Sequence, residues 1–110
     1  MRSDFVRVAF THEIPPGTGR TVEVAGIWIA VFNVEGTFYA IDNSCPHAGG
    51  PLGEGKLCEA VVECPWHGWK FSVISGERVG NPNFQVACCK IRIQGDEVQI
   101  AIPPAFKEPA

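Results

Sequence analysis

Four side chains dominate the chemistry open to this sequence: Cys45 and His47 form a C-x-H pair, and Cys64 and His67 form a C-x-x-H pair, with residues 48–63 between them. Thiolates and imidazoles are metal ligands, so the four read as one site. Two occupants would satisfy them. One is a tetrahedral zinc; the other is a two-iron, two-sulfide centre in which two His replace two Cys on one iron. A zinc would only brace the chain, whereas the iron centre would move electrons.

Such donors converge only if rigid elements hold them. Gly49, Gly50, Gly53 and Gly55, with Pro46 and Pro51, make residues 42–59 the least strand-like stretch, which predicts an irregular loop around the first pair. Residues 60–63 read as a strand that ends at Cys64 and residues 70–73 as its return, which places the second pair on a hairpin tip. Two loops at the edge of a β-scaffold can bring four donors into one small volume. Gly49, Gly50 and Gly68 would let backbone N–H groups approach anionic sulfides closely. Those hydrogen bonds, with solvent exposure, tune a reduction potential. Zinc sites generally use C-x₂₋₄-C followed by H-x₃₋₅-H, and the mixed pairs here depart from that spacing.

Elsewhere short Val-, Ile- and Phe-rich blocks alternate with Gly, Pro, Asn and Asp about every ten residues, the pattern of antiparallel strands. Strands are expected at residues 5–10, 21–24, 27–34, 37–41, 86–93 and 98–102. Turns are expected at Gly26, Glu35-Gly36, Ser75-Gly76 and Gln94-Gly95-Asp96, and a loop at residues 15–19. Trp28, inside an apolar block, is expected in the core. His12 is expected on the solvated surface.

The 110 residues, 45% of them apolar, suit one core of ordinary size, so the expectation is a single domain over residues 1–110. Arg2, Asp4 and Arg7 interrupt any apolar run that could serve as a secretory signal, and no stretch approaches the roughly 18 to 20 apolar residues of a membrane helix. A cytoplasmic protein without a membrane partner is therefore expected. The net charge of -3, with no Lys/Arg cluster, argues against nucleic acid. Of five cysteines, Cys58, Cys88 and Cys89 lie outside the pairs. Neighbouring residues on a strand face opposite ways, so at least one of Cys88 and Cys89 should be buried as a small apolar side chain. The chain has three His, and with two in the pairs a mononuclear oxygenase site of two His and one carboxylate cannot be assembled.

The segments Cys45-Pro46-His47-Ala48-Gly49-Gly50-Pro51-Leu52 and Cys64-Pro65-Trp66-His67-Gly68-Trp69-Lys70-Phe71 resemble the two cluster-binding loops of Rieske-type [2Fe–2S] ferredoxins. The likeness extends to the 27–41 hairpin, the Ser75-Gly76 turn, the Pro-containing segment at Asn81-Pro82 and the closing hairpin after Ile91. It implies an all-β fold, an antiparallel β-sandwich or barrel with a cluster-binding subdomain formed by the two loops. It also implies one [2Fe–2S] cluster, held by Cys45 and Cys64 on one iron and by His47 and His67 on the other.

The same resemblance implies a carrier rather than an enzyme. Such a carrier takes electrons from an NAD(P)H-dependent reductase and delivers them to a terminal oxygenase or other oxidoreductase, as do ferredoxin components of aromatic-ring dioxygenases, and is a monomer when free. A second reading is the small subunit of an assimilatory NAD(P)H nitrite reductase. Rieske proteins of the respiratory branch brace their loops with a disulfide at the places of Gly50 and Trp66, and carry hydroxyl donors at those of Trp69 and Phe71. Lacking both donors, this chain is expected toward the lower end of the range of about -150 to +300 mV for such centres. Trp66 and Trp69 are expected to shield the cluster, while Ala48, Pro51, Leu52 and Trp66 form an apolar collar around the imidazoles.

Overall fold

The computed structural model describes residues 5–24, 26–45, 49–66 and 68–101. Among them the strands are β1 (Phe5–Phe10), β2 (Thr18–Val24), β3 (Ile27–Val34), β4 (Thr37–Asp42), β5 (Lys56–Cys58), β6 (Val61–Glu63), β7 (Lys70–Ser72), β8 (Cys88–Gln94) and β9 (Glu97–Ala101). Single 3-10 turns sit at Thr11–Glu13 and Leu52–Glu54. No helix among the described residues is long and apolar enough to cross a membrane.

Six strands form one antiparallel sheet in the order β1-β9-β8-β4-β3-β2, and β5-β6-β7 form a second. The larger sheet curls until its outer strands β1 and β2 touch. Ala9, Ile14, Val22, Ile29, Val31, Ala40, Cys89, Val98 and Ile100 fill the interior of this curl. A second core lies between the outside of β3 and β4 and the small sheet; it contains Ala30, Phe32, Ile41, Leu52, Val62, Phe71, Val73 and Val86, together with Cys45 and Cys64. Strand β3 therefore buries both faces, Ile29 and Val31 inward and Ala30 and Phe32 toward the second layer. Its apolar run Ile27–Val34 answers to that double burial.

Local chemistry fixes the registers. Glu35 and Gly36, at φ 52 and 94, make the two-residue turn that pairs Val34 with Thr37, since a primed turn needs positive φ at both central positions. Asn33, buried, donates through Nδ2 to the Ile14 carbonyl at 2.7 Å and accepts the Gly36 N–H at 2.7 Å, tying this turn to the first connection. The closing hairpin pairs Gln94 with Glu97 around Gly95-Asp96, as expected from sequence.

Several expectations need correction. Strand β2 begins at Thr18, inside the stretch read as a loop. Gly19 suits that strand because a Cβ there would run into the Phe32 ring, so only glycine lets the aromatic pack against the backbone. Residues 56–58 form β5 rather than loop, because Leu57 pairs with Val62 on the strand beside it. Strand β8 starts at Cys88, two residues later than predicted. Trp28 is 52% exposed, not core: it lies on the same face as Ala30 and Phe32, but the second layer ends before reaching it.

Candidate metal centre

The first loop is closed at its base before it reaches Cys45. Ser44 and Pro51 form a bridge across it. Beneath that bridge, buried Asn43 accepts the Gly53 N–H at 2.7 Å and the Thr21 hydroxyl at 3.1 Å through the same Oδ1, while its carbonyl accepts the Leu52 N–H at 2.8 Å. The loop is thus moored to β2 and β4. The second loop is the tip of the β6–β7 hairpin, sprung from the Glu63–Lys70 pair.

Above these bases the two loops repeat one backbone pattern. The Gly49 N–H donates to the Cys45 carbonyl at 2.7 Å, and the Cys45 N–H donates to the Gly50 carbonyl at 3.0 Å. In the second loop the Gly68 N–H donates to the Cys64 carbonyl at 3.0 Å, and the Cys64 N–H to the Trp69 carbonyl at 2.7 Å. Gly49 and Gly68 take φ of 77 and 79, a left-handed conformation that costs other residues about 1 kcal/mol or more. Their N–H groups close the turns, so the two glycines shape the loops rather than donate to a bound anion.

The pattern turns both cysteines inward. Cys45 and Cys64 are each 2% exposed and share the second core. Gly50 joins the loops: a Cβ on it would stand 2.6 Å from Cys64 Sγ and 3.1 Å from Trp66 Cγ. The two positions bridged by a disulfide in the respiratory branch therefore face one another here, with an indole against a bare backbone. This is a cradle in which any added atom would displace a thiol, and a donor set of two buried thiols on matched turns suits an iron–sulfur cluster. His47, Ala48 and His67 lie outside the described residues.

The surrounding residues divide sharply. Trp66 is 58% exposed, whereas Trp69 is half-buried against Phe71, with ring centroids 6.4 Å apart. Phe71 and Leu52 are fully buried. Leu52 therefore belongs to the core beneath the cysteines and not to an apolar collar, because it opens the 3-10 turn that packs down on β2 and β3. Pro51 is half-buried and Pro82 exposed.

The residue of that last segment that reaches the site is Phe84, whose ring meets Trp69 edge-on at 5.1 Å. Arg78 covers the same indole, with Cζ 3.4 Å from the ring centroid. Neither was singled out from sequence, where only their place just after the Ser75-Gly76 turn could have drawn notice. Of the remaining cysteines, Cys58 and Cys88 are exposed and Cys89 is buried, facing opposite ways across β8 as anticipated. Burial, with Asp42 and Cys88 nearby, pushes the Cys89 thiol up to about 12, so it stays protonated and apolar in role.

The Rieske [2Fe–2S] domain family matches this chain over residues 4–93. The ferredoxin component of the naphthalene 1,2-dioxygenase system of Pseudomonas aeruginosa is 33% identical over 101 residues, which span 91% of this chain and 97% of that protein. A chain in the solved complex of reduced oxygenase and oxidised ferredoxin of carbazole 1,9a-dioxygenase is 31% identical, covers 91% of this chain and 94% of its own length, and superposes with a TM-score of 0.82. A Mycobacterium tuberculosis protein assigned as an NADH-dependent nitrite reductase small subunit shares the fold, with a TM-score of 0.82 over 90% of this chain and 95% of its own length, but at 20% identity it speaks to the fold alone. With its two matched cysteine loops set on an antiparallel β-scaffold, the chain belongs to the Rieske [2Fe–2S] domain family and carries one [2Fe–2S] cluster.

Proposed function

We propose that this chain is a one-electron carrier that takes electrons from an NAD(P)H-dependent reductase and delivers them to a terminal oxygenase or another oxidoreductase. The observation behind this reading is the pair of matched loops, which bury two thiols in the core and leave Trp66 exposed beside them. Similar proteins include ferredoxin components of dioxygenase systems, and one similar structure is a ferredoxin–oxygenase complex. Cys45 and Cys64 serve as thiolate ligands to one iron, and His47 and His67 as imidazole ligands to the other. When bound, the cluster takes up and returns a single electron, favouring the His-ligated iron.

The protein's own residues do the rest. The core around Cys45 and Cys64 excludes water from the thiolates and fixes their spacing. Trp66 and Pro51 offer a small apolar contact, and transient redox encounters need little more. An acidic surface, at a net charge of -3, steers toward a basic partner. Residues 1–110 act as a single domain in the cytoplasm, monomeric when free.

The test is EPR of the dithionite-reduced protein, with a low average g value expected from two nitrogen ligands on one iron. A colourless, EPR-silent protein containing zinc would overturn the reading. Electron uptake from an added reductase by a monomer is expected as well, and constitutive co-purification with a large reductase chain would make it instead a fixed subunit of an enzyme complex.

Replacing Trp66 by Ala removes a side chain that is 58% exposed and so should lower the melting temperature by only a few degrees. Transfer to the partner should fall about tenfold, as for an aromatic anchor at the centre of a contact, where 1.4 kcal/mol is a factor of ten. Unchanged transfer kinetics would remove Trp66 from the docking surface.

A further inference from the structure

We propose that Arg78 is a positioning residue for the second cluster loop and supplies a fixed positive charge that raises the reduction potential of the site; this rests on the ligand reading above. Its guanidinium carbon lies over the Trp69 indole, 3.4 Å from the centroid, while the Phe84 ring closes on the same indole at 5.1 Å. The carbonyl of Trp69 in turn accepts the Cys64 N–H at 2.7 Å. Arg78 therefore acts on the thiol-bearing turn through one side chain and one hydrogen bond.

The strap that carries Arg78 is itself fixed. Arg78 bridges Phe71, its N–H donates to the Phe84 carbonyl at 2.9 Å, and its carbonyl accepts the Asn81 N–H at 3.2 Å. The next N–H along, that of Val79, donates to the Lys70 carbonyl at 2.8 Å, which joins the strap to the return strand of the loop. The charge is thus held in place by the fold and not merely draped over a ring.

That charge is not cancelled locally. Apart from the two candidate His ligands, residues 45–53 and 64–69 contain no ionisable side chain other than the two cysteines. Glu54, Glu63 and Lys56 line a groove beside the second loop and Lys70 stands opposite Glu63, so two carboxylates and two ammonium groups offset there. Among the described residues the ion pair that forms is Arg7–Glu97, at 3.9 Å on the β1–β9 side of the fold, and Arg78 takes no carboxylate. Reduction adds one negative charge to the site. A cation held against its loop in a partly desolvated layer favours that state, and a solvent-exposed cation farther off does so much less.

The experiment measures midpoint potentials by spectroelectrochemical titration, with EPR to follow the cluster. Arg78→Gln and Arg78→Met both remove the charge, and the Met side chain still covers the indole face. Arg78→Lys keeps the charge. Arg92→Gln is the matched control, since Arg92 lies over Phe5 at 4.3 Å in the β8–β1 region and away from the loops.

Both neutral variants should shift the reduced-to-oxidised equilibrium several-fold toward the oxidised form, where tenfold corresponds to 59 mV for one electron. The shift should shrink at high salt, and Arg78→Lys and Arg92→Gln should stay close to the parent protein. A neutral variant with an unchanged potential and an intact Rieske EPR signal would overturn the inference, as would an equal shift in Arg92→Gln. Loss of the cluster in all three Arg78 variants would overturn the charge effect and leave the residue a packing role alone. Absence of that EPR signal in the parent protein would instead be a failure of the ligand reading.

Discussion

Gly50→Ala is expected to yield a folded protein that retains iron poorly. The argument turns on space, not on backbone conformation. Gly50 lies outside the left-handed region, so alanine can adopt its dihedrals, but the new Cβ would stand 2.6 Å from Cys64 Sγ and 3.1 and 3.2 Å from two atoms of the Trp66 indole. Overpacking of this kind costs about 1–3 kcal/mol, and here the strain falls on a thiol that must keep its position to within about 0.2 Å to bind metal. Retention of the cluster should weaken by about 5- to 150-fold, read as iron per chain and visible absorption after gel filtration.

Gly49→Ala provides the contrast. Among the described residues a Cβ there meets nothing within 4 Å, and the penalty is that of placing alanine at φ 77, about 1 kcal/mol. Iron content equal in the two variants would show that the Gly50–Cys64 apposition does not govern assembly.

The contrast between adjacent glycines could not be drawn from the chain alone. Both stand in one motif, and only the approach of the second loop distinguishes the crowded position from the open one. Local turn chemistry is legible in the chain. Glu35-Gly36 and Gly95-Asp96 are turns by their own chemistry, and they set the registers of their hairpins. The alternating apolar blocks found β1, β3 and β4 to within a residue.

Failures arose where a third partner decides. Gly19 looks like loop until Phe32 lies on it, and Leu57 looks like loop until Val62 pairs with it. Trp28 seems a core residue until the second layer is seen to stop short. Leu52 was assigned to the surface near the imidazoles because it follows Pro51 in the motif, yet the 3-10 turn rotates it into the core. Arg78 and Phe84 carry little local signal beyond their place after the Ser75-Gly76 turn, since a cation over an indole depends on a strap that returns from nine or more residues away.

Removal of the cluster by chelation is expected to unfold one half of the molecule and spare the other. Cys45 and Cys64 belong to the second core with Phe32, Leu52, Val62 and Phe71, whereas the interior of the curled sheet, around Ile29, Val31, Val98 and Ile100, contains no candidate ligand. Metal-binding free energy in such sites is also folding free energy, because the unfolded chain does not hold the donors together. Without it, both loops lose their shared tie, and the three-residue strands β5, β6 and β7 are left to hold by their packing on β3 and β4 alone.

Amide hydrogen exchange should therefore lose protection, by tenfold or more, at Cys45, Gly49, Cys64, Gly68 and Val73. All five donate to loop or small-sheet carbonyls in the intact protein. Amides pairing β8 with β9, such as those between Arg92 and Gln99, should keep most of theirs. Uniform loss across both sets would mean that the cluster braces the entire fold and that the two cores do not act as separate units. Retained protection at the loops would mean that the matched turns, closed by their glycines and moored by Asn43, are already assembled before iron arrives.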